Sequence, residues 1–218
     1  GVIENWFIDI EHSGDIVPGE IRNDTNLLTG CVSFKDEKFK KSKIVVSNSF
    51  CEDAVNFINS SGEIDLITSI NSNYDALDMD FSNLLIHKLE IEQAQNDCVD
   101  FSYGNYIIDE LNVKYCGDKG VSIGEKSKVN VNNALISDSN IGVAIKDSSE
   151  GIFNNLISIN NKKCLSLYQK KQEFGPSKGV FNKLNCGSQE IYVQEGSELI
   201  NDWKKSRTKI FSQWIQLR

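Results

Sequence analysis

The sequence predicts an all-β chain wound as a right-handed parallel β-helix, a solenoid of about 22 residues per coil and eight or nine coils with a C-terminal cap. Three observations predict it. Apolar pairs spaced by two, the period of a strand, occur at Val55/Phe57, Leu77/Met79, Val99/Phe101, Val121/Ile123, Val143/Ile145 and Leu165/Leu167, each 22 residues after the last. A second apolar series (Ile64, Ile86, Ile108) and a third (Ile67, Leu89, Leu111) repeat at the same interval, and Val131, Ala134 and Ile136 continue them after one-residue shifts. Small residues (Ala54, Ala76, Cys98, Gly120, Gly142, Cys164) and polar ones (Ser61, Asn83, Asn105, Ser127, Ser149) form columns of their own. Twenty-two residues cannot hold two helices and their turns, but they hold three short strands and three corners, which is one rung of a solenoid. Leucine-rich repeats have a similar period but require a Leu-x-x-Leu-x-Leu-x-x-Asn pattern that this chain lacks.

Each element follows from the same logic. The segment from Gly1 to Asp24, with Trp6 and Phe7, begins the first coil; Ile8/Ile10 lies 24 residues before Val32/Phe34, which lies 23 before Val55/Phe57. The lysine-rich stretch Lys35 to Lys43 is longer than a tight turn and is expected to protrude as a loop. The repeat runs on to Ile191/Val193, which gives a β-helix domain over 1–196. The tail 197–218 leaves the period and mixes Trp203, Ile210, Phe211, Trp214, Ile215 and Leu217 with basic residues, the pattern of a segment that caps an open sheet edge. Short Ser and Asn side chains at the corners can hydrogen-bond along the stack and relieve turn backbone.

Composition narrows the function. Hydrophobic residues make up 39% and charged ones 25%, a globular composition, and no apolar run is long enough to span a bilayer. No signal peptide is visible, so the chain reads as a mature form or as part of a larger protein whose other domains would be its partners. The net charge of −8 divides unevenly: residues 1–110 carry 21 acids and 7 bases, residues 111–218 carry 10 acids and 16 bases. An acidic protein is a poor ligand for phosphate backbones, so no nucleic-acid partner is expected. Six cysteines are expected as free, buried thiols: the column mates Cys98 and Cys164 stand three coils apart, about 14 Å at strand spacing and beyond disulfide reach. Free thiols weakly favour a reducing compartment.

The acidic columns are the candidate chemistry. Alternation along the first strand puts Asn56, Asp78, Asp100, Ser122, Ala144 and Ser166 in one exterior column and Ile58, Asp80, Ser102, Gly124, Lys146 and Tyr168 in the next. Asp53, Asp75 and Asp97 stack at the turn into the strand, where they can also act as capping residues. Like charges about 5 Å apart repel by roughly 3 kcal/mol at an effective dielectric of 20, so a bound cation, N–H donors or a retained proton must offset them. Asp78, Asp80 and Asp100 are therefore candidate Ca²⁺ ligands. Farther along this face come Lys119, Lys126, Lys146, Lys170 and Lys171 with Tyr168, a groove suited to an extended polar polymer. Asp75, Asp97, Lys146, Tyr168 and Lys170 are its candidate substrate-binding residues. The two histidines, His12 and His87, form no triad, and His87 occupies a surface turn position equivalent to Asp109.

The stretches Asp75-Ala-Leu-Asp-Met-Asp80, Gly117-Asp-Lys-Gly-Val-Ser-Ile-Gly-Glu-Lys-Ser127, Ser139-Asn-Ile-Gly-Val-Ala-Ile-Lys-Asp147 and Leu167-Tyr-Gln-Lys-Lys171 resemble right-handed parallel β-helix repeat regions. In particular they look like the β-helix segments of CotH-type (spore-coat kinase-like) and other cell-surface polysaccharide-associated proteins. The resemblance covers about residues 28–200 and implies a cell-surface or secreted setting and a polysaccharide partner. It supplies no catalytic residues, and the chain lacks the Gly-His-Gly, Arg-Ile-Lys and Asp-Pro-His motifs of β-helix hydrolases and epimerases. The expected function is binding, with processing, of a cell-surface or capsular polysaccharide. In its enzymatic form Ca²⁺ on Asp78, Asp80 and Asp100 would hold a uronate carboxylate for lyase or epimerase chemistry, while Lys119 or Lys126, with a depressed pKa, removes the C5 proton. The alternative is a non-catalytic structural or interaction module of a larger surface or polymer-synthesis protein.

Overall fold

A computed structural model describes residues 1–13 and 28–201. Its strands, in order, are β1 (Val2–Glu4), β2 (Phe7–Glu11), β3 (Gly30–Lys35), β4 (Lys38–Ser49), β5 (Asp53–Ile58), β6 (Ser61–Ser72), β7 (Asp75–Asp80), β8 (Asn83–Ala94), β9 (Val99–Ser102) and β10 (Asn105–Cys116). There follow β11 (Lys119–Gly124), β12 (Lys128–Ser137), β13 (Ile141–Lys146), β14 (Glu150–Ile159), β15 (Lys163–Tyr168), β16 (Lys178–Phe181), β17 (Leu184–Asn185), β18 (Glu190–Val193) and β19 (Glu198–Asn201). The odd strands from β3 to β15, with β18, build an eight-stranded parallel sheet, and the longer strands build a second sheet with β1 and β2 at one edge. Every pairing is parallel, and the chain is a right-handed β-solenoid of eight coils. Among the described residues no helix is long and apolar enough to cross a membrane.

Equivalent residues do lie over one another: Val99 pairs with Val121, and Val121 with Val143. The predicted second and third strands of each coil run together as one strand bent in the middle. In β10 the inward residues are Tyr106 and Ile108, then Leu111, Val113 and Cys116, so the alternation changes phase at Asp109–Glu110. Asp65, His87 and Asp109 sit at these bends, where the ladder skips a residue. The lumen is filled by stacked apolar columns; Phe34 and Phe57 stack at 5.1 Å and Phe153 and Phe181 at 5.4 Å. Burying a Phe side chain of this kind contributes roughly 2–3 kcal/mol.

Corners are made by residues in the left-handed region. Asp36, Asn59, Phe81, Tyr103, Glu125 and Asp147, with φ of 59°, 48°, 53°, 46°, 56° and 57°, each directly follow a strand of the eight-stranded sheet. Asn48, Asn71, Gln93, Tyr115, Asp138 and Asn160 do the same at the end of the longer strands. Just past the first of these corners runs a buried seryl column, Ser60, Ser82, Ser127, Ser149 and Ser177. Ser127 and Ser149 belong here, one position before the column of Ser61, Asn83 and Asn105, because the corner at Glu125–Lys126 contains one extra residue and Asn105 pairs with Lys128. At Gly104 the column has no side chain, and the Tyr106 hydroxyl takes over, donating to the Met79 carbonyl at 2.9 Å. A Cβ at residue 104 would stand 2.5 Å from that hydroxyl, so glycine is what admits the ring.

Two expectations are corrected. Lys35 to Lys43 does not protrude: it holds the end of β3, a two-residue turn at Asp36–Glu37 and the start of β4, with Phe39 and Ser42 buried and the extra residue absorbed as a bulge near Lys41 (φ 53°). The six cysteines are not free thiols but form Cys31–Cys51, Cys98–Cys116 and Cys164–Cys186, with Cα–Cα distances of 5.3, 5.4 and 5.5 Å. Column mates are indeed too far apart, but a coil returns to its own start, so residues 18–22 apart in sequence meet at one corner. With the disulfides goes the argument for a reducing compartment. The capping expectation for 197–218 falls mostly on residues outside those described; Glu198–Asn201 still pairs with β16.

Non-reducing peptide mapping should recover these three pairs, with no alkylation before reduction. Cys98→Ala with Cys116→Ala should lower unfolding stability by about 3 kcal/mol, the order expected for an 18-residue loop, as read by denaturant titration.

Candidate functional site: the carboxyl face of the eight-stranded sheet

The exterior columns read from the sequence are the ones the fold builds. Asn56 pairs with Asp78, Asp78 with Asp100 and Asp100 with Ser122; Ile58 pairs with Asp80 and Asp80 with Ser102. Asp53 pairs with Asp75, and the backbone N–H of Asp97 donates to Asp75 Oδ1 at 2.8 Å. Six aspartates thus occupy one face over three adjoining coils. They are drawn in rather than splayed into water: Asp53 and Asp97 are buried, and Asp75, Asp78, Asp80 and Asp100 partly so.

Their partners are incomplete. Asn56 Nδ2 donates to Asp78 Oδ2 at 3.1 Å, and Asn96 Nδ2 to Asp75 Oδ1 at 2.6 Å. Asp53 Oδ2, Asn56 Oδ1, Asp100 Oδ1 and Ser122 Oγ are buried with no hydrogen-bond partner. Burial and mutual repulsion therefore act on the carboxyls in the same direction. Asp78 is pushed well above the usual carboxylate range, first by burial and then by Asp53, Asp80 and Asp100. Burial likewise raises Asp53 to about 7 and Asp97 to about 6, and raises Asp75 and Asp80. Near neutral pH this face holds protons, and an acid next to a carboxylate is the pair that general acid–base catalysis uses.

The lysines are not equivalent. Lys119 is buried with Nζ 3.2 Å from both oxygens of Asp97, and it also contacts the Asp118 carboxylate. Burial alone would lower its pKa, but Asp97 and Asp118 outweigh it and the pKa is raised. A general base needs the opposite, so Lys119 is an ion-pair partner of Asp97 rather than the depressed lysine expected from the sequence. Lys126 is exposed at a left-handed corner, its Nζ 5.8 Å from the Phe174 ring centre. Lys146 is buried on the face with Nζ 3.9 Å from Asp100 Oδ2. Tyr168 pairs with Lys146, and burial raises its hydroxyl pKa. Lys170 is exposed, and its backbone N–H, with that of Lys171, donates to buried Asp147 Oδ1 at 2.7 and 2.8 Å.

The donors of the face are hard oxygens, the set that suits Ca²⁺; Asn56 and Asp100, each with an unpartnered oxygen, flank Asp78, and the unpartnered Ser122 hydroxyl lies one coil farther, beside Asp100. The oxygens of Asp78, Asp80 and Asp100 do not all converge within 4.8 Å of one another; among the described residues the group that does is Glu63, Asp65 and His87. A Ca²⁺ ion on Asp78, Asp80 and Asp100 would have to draw the carboxylates together.

Sequence reasoning missed the aromatic edge. Phe81 and Tyr103, at successive left-handed corners, stack with centroids 4.7 Å apart and planes 5° apart, and Phe174 lies 6.1 Å from Tyr103. Phe81 is 54% exposed. They directly follow Asp80 and Ser102 in the chain, so they border the carboxyl face. The signal was present, since Asn59, Phe81, Tyr103, Glu125 and Asp147 are spaced by 22, but the bulk of two members at a turn position went unweighed.

No protein-family model, curated protein or solved structure matches this chain.

Raised carboxyl pKa values fix the sign of a pH effect. The folded form holds protons that the unfolded chain releases near 3.8, so this stabilisation is complete below about pH 4 and is lost as pH rises through about 6 and 7. The melting temperature should fall across that window. Asp53→Asn should flatten the fall and raise stability at pH 8 by about 1–4 kcal/mol, measured by thermal and denaturant melts. A profile unchanged by the substitution would remove Asp53 from the titrating set.

Proposed function

We propose that the protein binds an extended cell-surface or capsular polysaccharide along the carboxyl face and processes it through its paired carboxyls. The observation that carries this reading is the file of partly buried aspartates with unpartnered oxygens, bordered by the Phe81–Tyr103 stack. A face of buried acceptors and protonated carboxyls matches the hydroxyl and carboxyl groups of a sugar chain, and the exposed Phe81 ring, stacked on half-buried Tyr103, matches its apolar faces. The three disulfides fit an oxidising, extracellular setting, and the resemblance of the repeat to CotH-type and other polysaccharide-associated β-helix regions fits the same place. Asp78, which burial and its acidic neighbours keep protonated, is the donor to a departing glycosidic oxygen; Asp80 beside it is the acceptor. In the calcium-dependent version Asp78, Asp80 and Asp100 hold the ion against a uronate carboxylate. Of the two candidate bases, Lys119 is ion-paired with Asp97, so Lys126 is the one proposed for that step.

A second reading, a non-catalytic interaction module, is favoured by one observation. The outer face of the longer sheet carries a depression of about 300 Å³ lined by Ile70, Leu135, Lys114, Glu90 and Glu92, away from the carboxyls.

The deciding experiment is a glycan array with a polysaccharide-degradation screen, each with and without Ca²⁺. Reducing-end release marks hydrolysis, and an unsaturated product marks elimination. Asp78→Asn should cut turnover by about 10²-fold or more while binding persists. Phe81→Asn with Tyr103→Asn should weaken binding while stability holds or rises, because Asn tolerates the left-handed corner that bulky residues do not. Absence of both binding and turnover across the panel would sink the reading in favour of the interaction module.

A further inference from the structure

The longer sheet holds a second cluster, independent of the carboxyl face. Glu63 and Asp65 come from β6 and His87 from β8. Asp65 and His87 occupy the strand bends, where the ladder skips a residue and equivalent side chains from neighbouring coils point outward together. One ligand atom from each of Glu63, Asp65 and His87 lies within 4.8 Å of the others.

The imidazole is held in a particular way. His87 Nδ1 is 2.7 Å from Asp109 Oδ2, and Nε2 is 2.9 Å from Glu63 Oε1. Asp109 is itself fixed, because Asn132 Nδ2 donates to its other oxygen at 2.8 Å. Asn154 in turn donates to Asn132 at 2.9 Å, and Asn182 to Asn154 at 2.7 Å. An amide ladder along the bend column thus anchors a carboxylate, which anchors Nδ1–H and turns Nε2 toward two more carboxylates. A carboxylate on the far nitrogen is the device that orients a metal-binding imidazole.

We propose that Glu63, Asp65 and His87 bind a divalent first-row transition-metal ion of the Zn²⁺ class, with Asp109 as the positioning residue. One imidazole and two carboxylates suit such an ion, whereas an imidazole is a poor ligand for Ca²⁺. On binding, the Nε2 lone pair becomes the metal bond, and the ion takes the place of the Nε2–Glu63 contact. The His87 side chain is 40% exposed, which leaves outward coordination positions for water or for a ligand from another molecule. The ion would also tie two successive coils together.

The test is isothermal titration of the full chain with ZnCl₂ and, separately, CaCl₂, with far-UV circular dichroism to establish that each variant is folded. The expected result is one Zn²⁺ per chain. Affinity should fall at least about tenfold in His87→Ala and in Asp65→Asn and about 10–100-fold in Asp109→Asn, and should be unchanged in Asp78→Asn/Asp100→Asn. No saturable Zn²⁺ binding, or binding that survives His87→Ala, overturns the assignment, as does binding that is lost in the Asp78→Asn/Asp100→Asn variant.

Discussion

One constraint governs the molecule: the chain passes the same point once per coil, so each side chain lies against its own equivalents at strand spacing, about 4.8 Å. What such a stack does depends on whether a residue is complementary to itself. Phenylalanine is, and Phe34 and Phe57 stack in the lumen. Asparagine is, because an amide donates and accepts; Asn71 bonds to Asn48, Asn105 to Asn83 and Asn155 to Asn133. Ionised aspartate is not, since it only accepts and carries charge. A column of aspartates must take up protons, cations or donors from elsewhere, and on the eight-stranded sheet it is supplied only in part. The same geometry that makes the asparagine ladders stabilising leaves the aspartate columns short of donors and holding protons.

The two acidic systems resolve the problem differently. On the bend column a histidine stands between Glu63 and Asp109, and asparagines continue the stack, so Glu63 and Asp109 each meet a donor. On the carboxyl face Asp97 meets Lys119 and Asp100 has Lys146 3.9 Å away, but Asp53 and Asp78 meet chiefly other aspartates, Asn56 and burial. The first arrangement holds a defined set of ligand atoms around one imidazole; the second holds exchangeable protons along a face. That is why a transition ion is assigned to the former and an extended, hydroxyl-rich ligand to the latter.

Much of this was legible in the sequence. The interval of 22 yields the coils, the register and the exterior columns by arithmetic, because parallel in-register pairing leaves nothing else to determine. The same arithmetic carried one step further places Lys119 above Asp97 and His87 between Asp65 and Asp109. The cysteine pairing was missed because columns describe contacts between coils, and the disulfides close single coils at a corner. The offset of Ser127 was missed because an extra corner residue leaves the apolar spacing of the eight-stranded sheet unchanged. Burial of the face was not legible at all: alternation says which way a side chain points, and exposure depends on what its neighbours cover.

The aromatic corners show how stability and binding are weighed in such a fold. A left-handed conformation costs an ordinary residue roughly 1–2 kcal/mol, and Asn or Asp least, because a short polar side chain bonds locally. Asn59 and Asp147 use that solution in the column of Phe81 and Tyr103. The stacked rings return about 0.5–1.5 kcal/mol, which offsets part of the cost of two bulky left-handed residues but leaves an exposed apolar surface that asparagines would not. Folding alone therefore favours asparagine at both positions. The aromatic pair stands next in the chain to Asp80 and Ser102, at the level where the carboxyls are densest, and nowhere else in its corner column. A local cost confined to the coils that carry the acidic cluster is what the proposed binding role would explain, and it is the reason that proposal joins the two features on one surface.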